Sequence, residues 1–217
     1  MRSRIVIAID GPAASGKSSV ARMLARRLRM AYVNSGAMYR AVTCWMLRHG
    51  ADPNSPESVL PLLPQMHIEC GLDNGESTIR IDGEDPGPAL YDEAINQNVS
   101  AIARIPEIRH LLVDLQRQYA GKCDLVMEGR DIGSVVFPDT PYKFYIDASP
   151  DVRARRRARQ GQRDSITDRD RADTSRKTSP LTIAEDAYVI DSSNLTIDGV
   201  VGEIIGRLKL KGLEVPE

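Results

Sequence analysis

Residues 11–18 read Gly-Pro-Ala-Ala-Ser-Gly-Lys-Ser, which fits the spacing G-x-x-x-x-G-K-[ST]. Small residues at Gly11, Pro12, Ala13, Ala14, Ser15 and Gly16 let backbone N–H groups curl around a chain of phosphates. A helix starting at Lys17 would point its positive end at the same anion. The Lys17 ammonium can reach the β- and γ-phosphates, and the hydroxyl of Ser18 or Ser19 can meet Mg²⁺. These residues bind a nucleoside triphosphate, but the motif alone does not name the reaction, because switches, transport ATPases and small kinases share it.

A second group of residues narrows the choice. Between Arg153 and Arg176 lie nine arginines and four aspartates, with no Phe, Trp or Tyr among them. Arg153 and Arg157 stand at i, i+4, as do Arg155 and Arg159, so a helix here is basic on two faces. Charge runs are ordinarily solvated helix faces. This one follows Asp147 at a strand end, where ligands gather in parallel sheets, and it lacks the interleaved aromatics of a single-strand nucleic-acid binder. An arginine lid closing on a phosphoryl group accounts for it better, since phosphoryl transfer is mostly positioning and charge neutralisation. No N-K-x-D or D-x-x-G with a threonine-bearing switch occurs, which argues against a GTPase.

The elements that must hold these groups follow from periodicity. Arg4 to Ile9 is a near-continuous apolar run rich in isoleucine, the mark of a strand buried on both faces. A helix over 17–29, a strand over 31–34 and a helix over 36–49 follow. Alternation over 66–82 around Asp73-Asn74-Gly75 predicts a hairpin. Helices over 91–103 and 106–120, strands over 124–128, 142–147 and 188–191, and a helix over 197–209 complete the pattern. Strands alternating with helices predict a three-layer α/β fold with a five-stranded parallel sheet. The hairpin breaks that alternation and reads as a small β-containing insert.

Bulk properties set the surroundings. The chain carries 29 basic and 30 acidic residues, so no global attraction to polyanions is expected. Cys44, Cys70 and Cys123 have neither metal nor redox spacing and read as reduced thiols. No apolar run approaches the ~18 residues of a membrane span, and the amino terminus lacks a secretory core. A cytoplasmic protein is the expectation.

Several segments together resemble bacterial cytidylate kinases of the nucleoside monophosphate kinase group. They are IDGPAASGKSSVARMLARRL, NSGAMYRAVT, MEGRDIGSVVFPD, YIDAS followed by RARRRAR, and DRDRADTSR with SPLTIAEDAYVIDSS. The match runs along nearly the whole chain. It implies ATP as donor, Mg²⁺ as cofactor, CMP or dCMP as acceptor, and a monomer without nucleic-acid or membrane partners. Ser35 and Arg40 would line the acceptor-phosphate site; Ser100, Arg109 and Asp131 would read cytosine; Arg130 and Arg176 would hold phosphate. Arg169 and Asp173 would contact ribose, and Arg156 and Arg157 would be lid arginines near ATP. The resemblance divides the chain into a core of 1–34 and 106–217, with a lid at about 160–176, and a monophosphate-binding region of 35–105 whose hairpin insert covers about 66–90.

The chemistry agrees with the base assignment. Asp131 can accept from the cytosine N4 amino group while Arg109 donates to N3 and O2; uracil would face Asp131 with a carbonyl. The chain departs from the family in three respects: Ala14 stands where glycine is usual and would demand an ordinary backbone conformation, Ser18-Ser19 replaces Gly-Thr, and the segment between Gln160 and Asp168 is short. Glu128, at a strand end, is either an acid that helps hold Mg²⁺ or a structural ion-pair partner. The competing readings are a kinase of another small acceptor, such as UMP, AMP or shikimate, and a nucleotide-dependent RNA-binding module.

Overall fold

Strand β1 (Val6–Asp10) is buried at all five positions, as its apolar run demands. In the computed structural model, which describes residues 4–159, 161, 166–176 and 178–216, it lies at the heart of a seven-stranded mixed sheet. The other strands are β2 (Ala31–Asn34), β3 (Ile68–Asp73), β4 (Glu76–Ile81), β5 (Leu125–Gly129), β6 (Tyr142–Asp147) and β7 (Tyr188–Asp191). Their order is β3-β4-β2-β5-β1-β6-β7. From β2 to β7 every neighbouring pair is parallel, with Asp10 facing Gly129 on one side and Tyr145 on the other.

The expected count of five strands needs correction. The hairpin does not stand apart from the sheet but extends it. β3 and β4 pair antiparallel around Asn74 and Gly75, both at positive φ (49° and 78°), as an Asn-Gly turn requires. β4 then docks parallel beside β2, where the Tyr32 N–H donates to Gly75 O at 2.8 Å and the Asn34 N–H to Ser77 Oγ at 3.1 Å. Tyr119 of the helix over 106–122 fixes the hairpin from behind, its hydroxyl donating to Gly71 O at 3.1 Å.

Alternating residues of the central strands feed two cores. Ile7, Ile9, Val126, Phe144 and Ile146 pack under α1 (Lys17–Leu28) and the C-terminal helix 197–210. Ala8, Val33, Leu125 and Met127 pack under α2 (Ser35–Arg48) and the helix 106–122. Between these come a short α3 (Pro56–Val59) and α4 (Glu93–Ile102), then α5 (Pro106–Lys122), α6 (Pro150–Arg159), α7 (Ile166–Thr174) and α8 (Ile197–Leu210). Asn34 caps α2 by accepting the Ala37 N–H at 3.1 Å, and Thr196 caps α8 by accepting that of Gly199. The carboxyl ends of β1, β2 and β5 thus open onto one edge of the sheet, where parallel folds place their ligands.

Candidate active site

The loop from β1 to α1 is shaped by three backbone constraints. A Cβ on Gly11 would lie 2.1 Å from Ile146 O, so only glycine lets the loop leave β1 against β6. Gly16 opens α1 at φ 94°. Ala14 adopts φ 59°, in the left-handed region. That corrects the expectation of an ordinary conformation at Ala14: the loop geometry prevails, and alanine takes on the strain that glycine would avoid. The outer side of the loop is fastened by two side chains on Ser15 O, with Ser192 Oγ donating at 2.8 Å and Arg156 Nη1 at 3.0 Å.

Lys17 is buried at the start of α1. Its Nζ donates to Pro12 O at 3.2 Å and lies 3.8 Å from Glu128 Oε2. Burial, with Arg130 nearby, brings its pKa down to about 7, against the pull of Glu128. Ser18 Oγ donates to Glu128 Oε1 at 2.8 Å, while Ser19 faces solvent. Ser18 therefore keeps its oxygen lone pairs available beside a carboxylate, an arrangement suited to a hard cation.

The facing wall comes from α2, α4, α5 and the segment after β5. Gly129 ends β5 without a side chain because a Cβ there would meet Ser35 Oγ at 2.5 Å. Ser35 Oγ instead donates to Glu128 O at 2.8 Å. Arg40, one turn into α2, donates to Leu90 O at 2.9 Å and lies over the Tyr91 ring. Arg109, 2% exposed on α5, pairs with Asp131 through Nη2, donates to Ala103 O at 3.2 Å and lies over Tyr39. Asp173 of α7 accepts from Arg130 Nε at 2.8 Å and from Arg176 Nη2, with Ser100 Oγ at 3.4 Å.

These groups line one cleft of ≈ 350 Å³, in which eight basic side chains face three carboxylates. Burial, joined by the neighbouring Arg169, Arg157 and Arg130, lowers the pKa of Arg40 to about 9. Guanidinium keeps its proton at neutral pH, and these arginines crowded about Arg40 favour an anion among them. Burial raises Asp131 although Arg109 and Arg176 oppose it. Burial alone would raise Asp173 too, yet Arg130 and Arg176 hold it below the ordinary carboxylate range.

The structure brings most of the sequence-derived residues to this cleft. Ala13, Ala14, Gly16, Lys17, Ser18 and Ser19 border it on the loop side. Ser35, Arg40, Ser100, Arg109, Arg130 and Asp131 border it opposite, with Arg157, Arg169, Asp173 and Arg176 closing a third side. Gly11, Pro12 and Ser15 shape the loop from beneath, and Arg156 grips its outer face, outside the cleft. Of the two basic faces expected on α6, Arg153 and Arg157 turn inward while Arg155 and Arg159 are exposed. Arg153 bridges Ala148 O and Asp170.

Part of the stretch at 160–176 lies outside the described residues, namely 160 and 162–165. Arg109 and Asp131, read separately as contacts to the base, are bonded to each other, so they act as one unit. Sequence reasoning missed Tyr39, Arg22 and Asn34 in the lining. Tyr39 and Asn34 lie in the NSGAMYRAVT segment beside Arg40, and Arg22 in the segment that follows the phosphate loop, but nothing in their local pattern singles them out.

Comparison with known proteins agrees with this arrangement. The family described as "Cytidylate kinase" matches residues 7–210. A cytidylate kinase of Clostridium botulinum (strain Loch Maree / Type A3) is 42% identical over 216 residues, covering 94% of this chain and 98% of its own length. One from Streptomyces griseus is 40% identical over 209 residues, covering 92% and 90%. At the level of fold alone, the chain is similar to a tunicamycin resistance protein of Deinococcus radiodurans (TM-score 0.51, 18% identity, 99% of each chain). With likeness of this depth running almost from end to end, the chain belongs to the cytidylate kinase family.

Proposed function

We propose that this chain transfers the γ-phosphoryl group of ATP to CMP and dCMP, giving ADP and the corresponding diphosphate. The observation that carries the reading is the buried Arg109–Asp131 unit in the same cleft as Lys17. A carboxylate oxygen of Asp131 not engaged by Arg109 accepts from the cytosine amino group, and Arg109 donates to the acceptor edge. Uracil presents a carbonyl to the same carboxylate, which costs about 1–3 kcal/mol or more. Ser100 lies at the same end of the cleft, on Asp173.

The acceptor phosphate oxygen is already anionic, so no general base is needed. It attacks the γ-phosphorus as the bond to the β–γ bridging oxygen breaks, and the electron pair leaves with ADP. Lys17 and the backbone N–H groups of residues 13–16 receive the donor phosphates. Arg40, Arg130 and Arg176 aim the acceptor phosphate, while Asp173 and Arg169 contact its ribose. Arg157, on α6, reaches the cleft and donates to Asn96 Oδ1 at 3.5 Å, which supports a role beside the arginine lid over about 160–176. Arg156, fastened to the outer face of the loop, sets the loop from the ATP side.

Among the described residues no three His, Cys, Asp or Glu side chains converge as a metal cage. Ser18 and Glu128 fit Mg²⁺ held mainly by phosphate oxygens. When bound there, the ion would neutralise charge on the phosphate chain. In this reading residues 1–34 and 106–217 form the core and 35–105 the acceptor region with its hairpin insert. The protein works as a cytoplasmic monomer without nucleic-acid or membrane partners. No helix among the described residues is long and apolar enough to cross a membrane.

The test is ADP release from ATP and Mg²⁺ with CMP, dCMP, UMP, AMP and shikimate in turn. CMP and dCMP should give kcat/KM at least about tenfold above UMP. Equal rates with CMP and UMP would sink the base reading, and turnover confined to shikimate would move the chain to another acceptor class.

A further inference from the structure

Asp10 ends β1 immediately before Gly11, is 5% exposed, and makes no ion pair with a described residue. Both its carboxylate oxygens are used on backbone across the cleft floor: Oδ1 accepts the N–H of Ile132 and Oδ2 that of Gly133, each at 2.8 Å. These are the two peptide groups that directly follow Asp131. Because a peptide unit is planar and contains both flanking Cα atoms, holding the Ile132 N–H fixes the Cα from which the Asp131 side chain departs.

The segment beyond is a single wide turn over Ile132–Val136, with Val135 N and Val136 N both donating to Asp131 O. There is little room to shift. A Cβ on Gly133 would come within 3.2 Å of the Lys143 stem and 3.4 Å of Asp10 Oδ2.

We infer that Asp10 is a positioning residue: its two-pronged grip on the Ile132 and Gly133 N–H groups sets Asp131, and with it the Arg109–Asp131 unit, for reading the acceptor base. This rests on the proposed base contact of Asp131. A fully buried carboxylate without a cationic partner is expensive unless its oxygens are satisfied by donors. Two N–H groups do so here, which also works against the upward push of burial on its pKa, to about 7. Asparagine could accept from only one of the two N–H groups, so a single pair of donors specifies aspartate.

The experiment is steady-state kinetics of Asp10→Asn with CMP, UMP and ATP varied separately, beside thermal unfolding. The expected result is a CMP-over-UMP preference in kcat/KM reduced about tenfold, mainly through KM for CMP, with KM for ATP changed less than about twofold. A variant that melts lower but keeps the parent's CMP-over-UMP ratio overturns the inference and leaves Asp10 as a fold element only. If Asp10→Asn does not fold, Gly133→Ala, whose methyl group crowds the same grip, must lower the ratio; an unchanged ratio there has the same overturning force. Failure of the functional reading is distinguishable, because it appears as a parent enzyme without preference for CMP.

Discussion

Asp173→Asn tests the electrostatics of the cleft most directly. Asp173 is 2% exposed and serves two guanidiniums, Arg130 and Arg176. Removing one partner of a buried pair leaves the other charge uncompensated, typically at 3–5 kcal/mol. Arg130 retains 16% side-chain exposure and Arg176 7%, so water recovers part of that, and about 3 kcal/mol is expected. For a chain of this size that corresponds to a Tm lower by roughly 6–12 °C.

The deficit should shrink in phosphate, which can replace the missing charge; an anion at a hundred times its Kd stabilises by about 2.7 kcal/mol. The pH dependence has a definite sign. The folded-state pKa of Asp173 is depressed below 3.8, so its contribution is fully present above that value. The Tm gap between parent and variant should therefore hold from neutrality down to about pH 4 and close as acid protonates the carboxylate in both states. Differential scanning fluorimetry over pH and phosphate measures all of this. A gap below about 2 °C, or one that phosphate does not alter, would refute the claim that Asp173 restrains mutually repelling arginines.

Other expectations concern the donor side. Lys17→Ala should lower kcat by at least about 10²–10³-fold in the ADP-release assay, since a buried cation facing the transferred group is lost; near-normal turnover would contradict the mechanism. Ser18→Ala should raise the Mg²⁺ concentration for half-maximal rate by about tenfold or more, with Ser19→Ala close to the parent, because only Ser18 is bonded to Glu128; a Mg²⁺ titration giving the reverse order would reassign the hydroxyl. Ala14→Gly removes a left-handed alanine and should gain about 1 kcal/mol, roughly 2–4 °C in Tm. No gain on melting would mean that Ala14 is not strained.

Local signals carried much of this architecture. The apolar run before Gly11, the Asn74-Gly75 turn and Pro106 at the first position of α5 each act within a few residues, and β2, β6 and β7 begin and end where periodicity puts them. What periodicity could not supply was partnership across distance. Whether the hairpin stands apart or joins β2 depends on the Tyr32–Glu76 pairing and the hydrogen bonds beside it, between residues with no shared local pattern.

The site shows the same division. The phosphate loop is contiguous and legible; the acceptor wall draws on α2, α4, α5, the segment after β5 and α7, and only family resemblance joined those pieces. The wide turn at Ile132–Val136 was missed because its apolar residues fit any buried segment. Ala14 was misjudged because local preference argues against φ 59°, while loop closure over the strand imposes it.

The hairpin's attachment has one more consequence. Glu76 on β4 clasps Arg22 and Arg26 of α1, each at 3.1 Å, while Gly75 O and Ser77 Oγ on either side of it take the N–H groups of Tyr32 and Asn34 on β2. Such an appendage also buttresses α1. Excising it would bare β2 as a sticky selvedge, inviting a neighbouring molecule's strand to knit onto it. A trimmed relative of this enzyme would have to guard that border with lysines or proline to keep such a strand off.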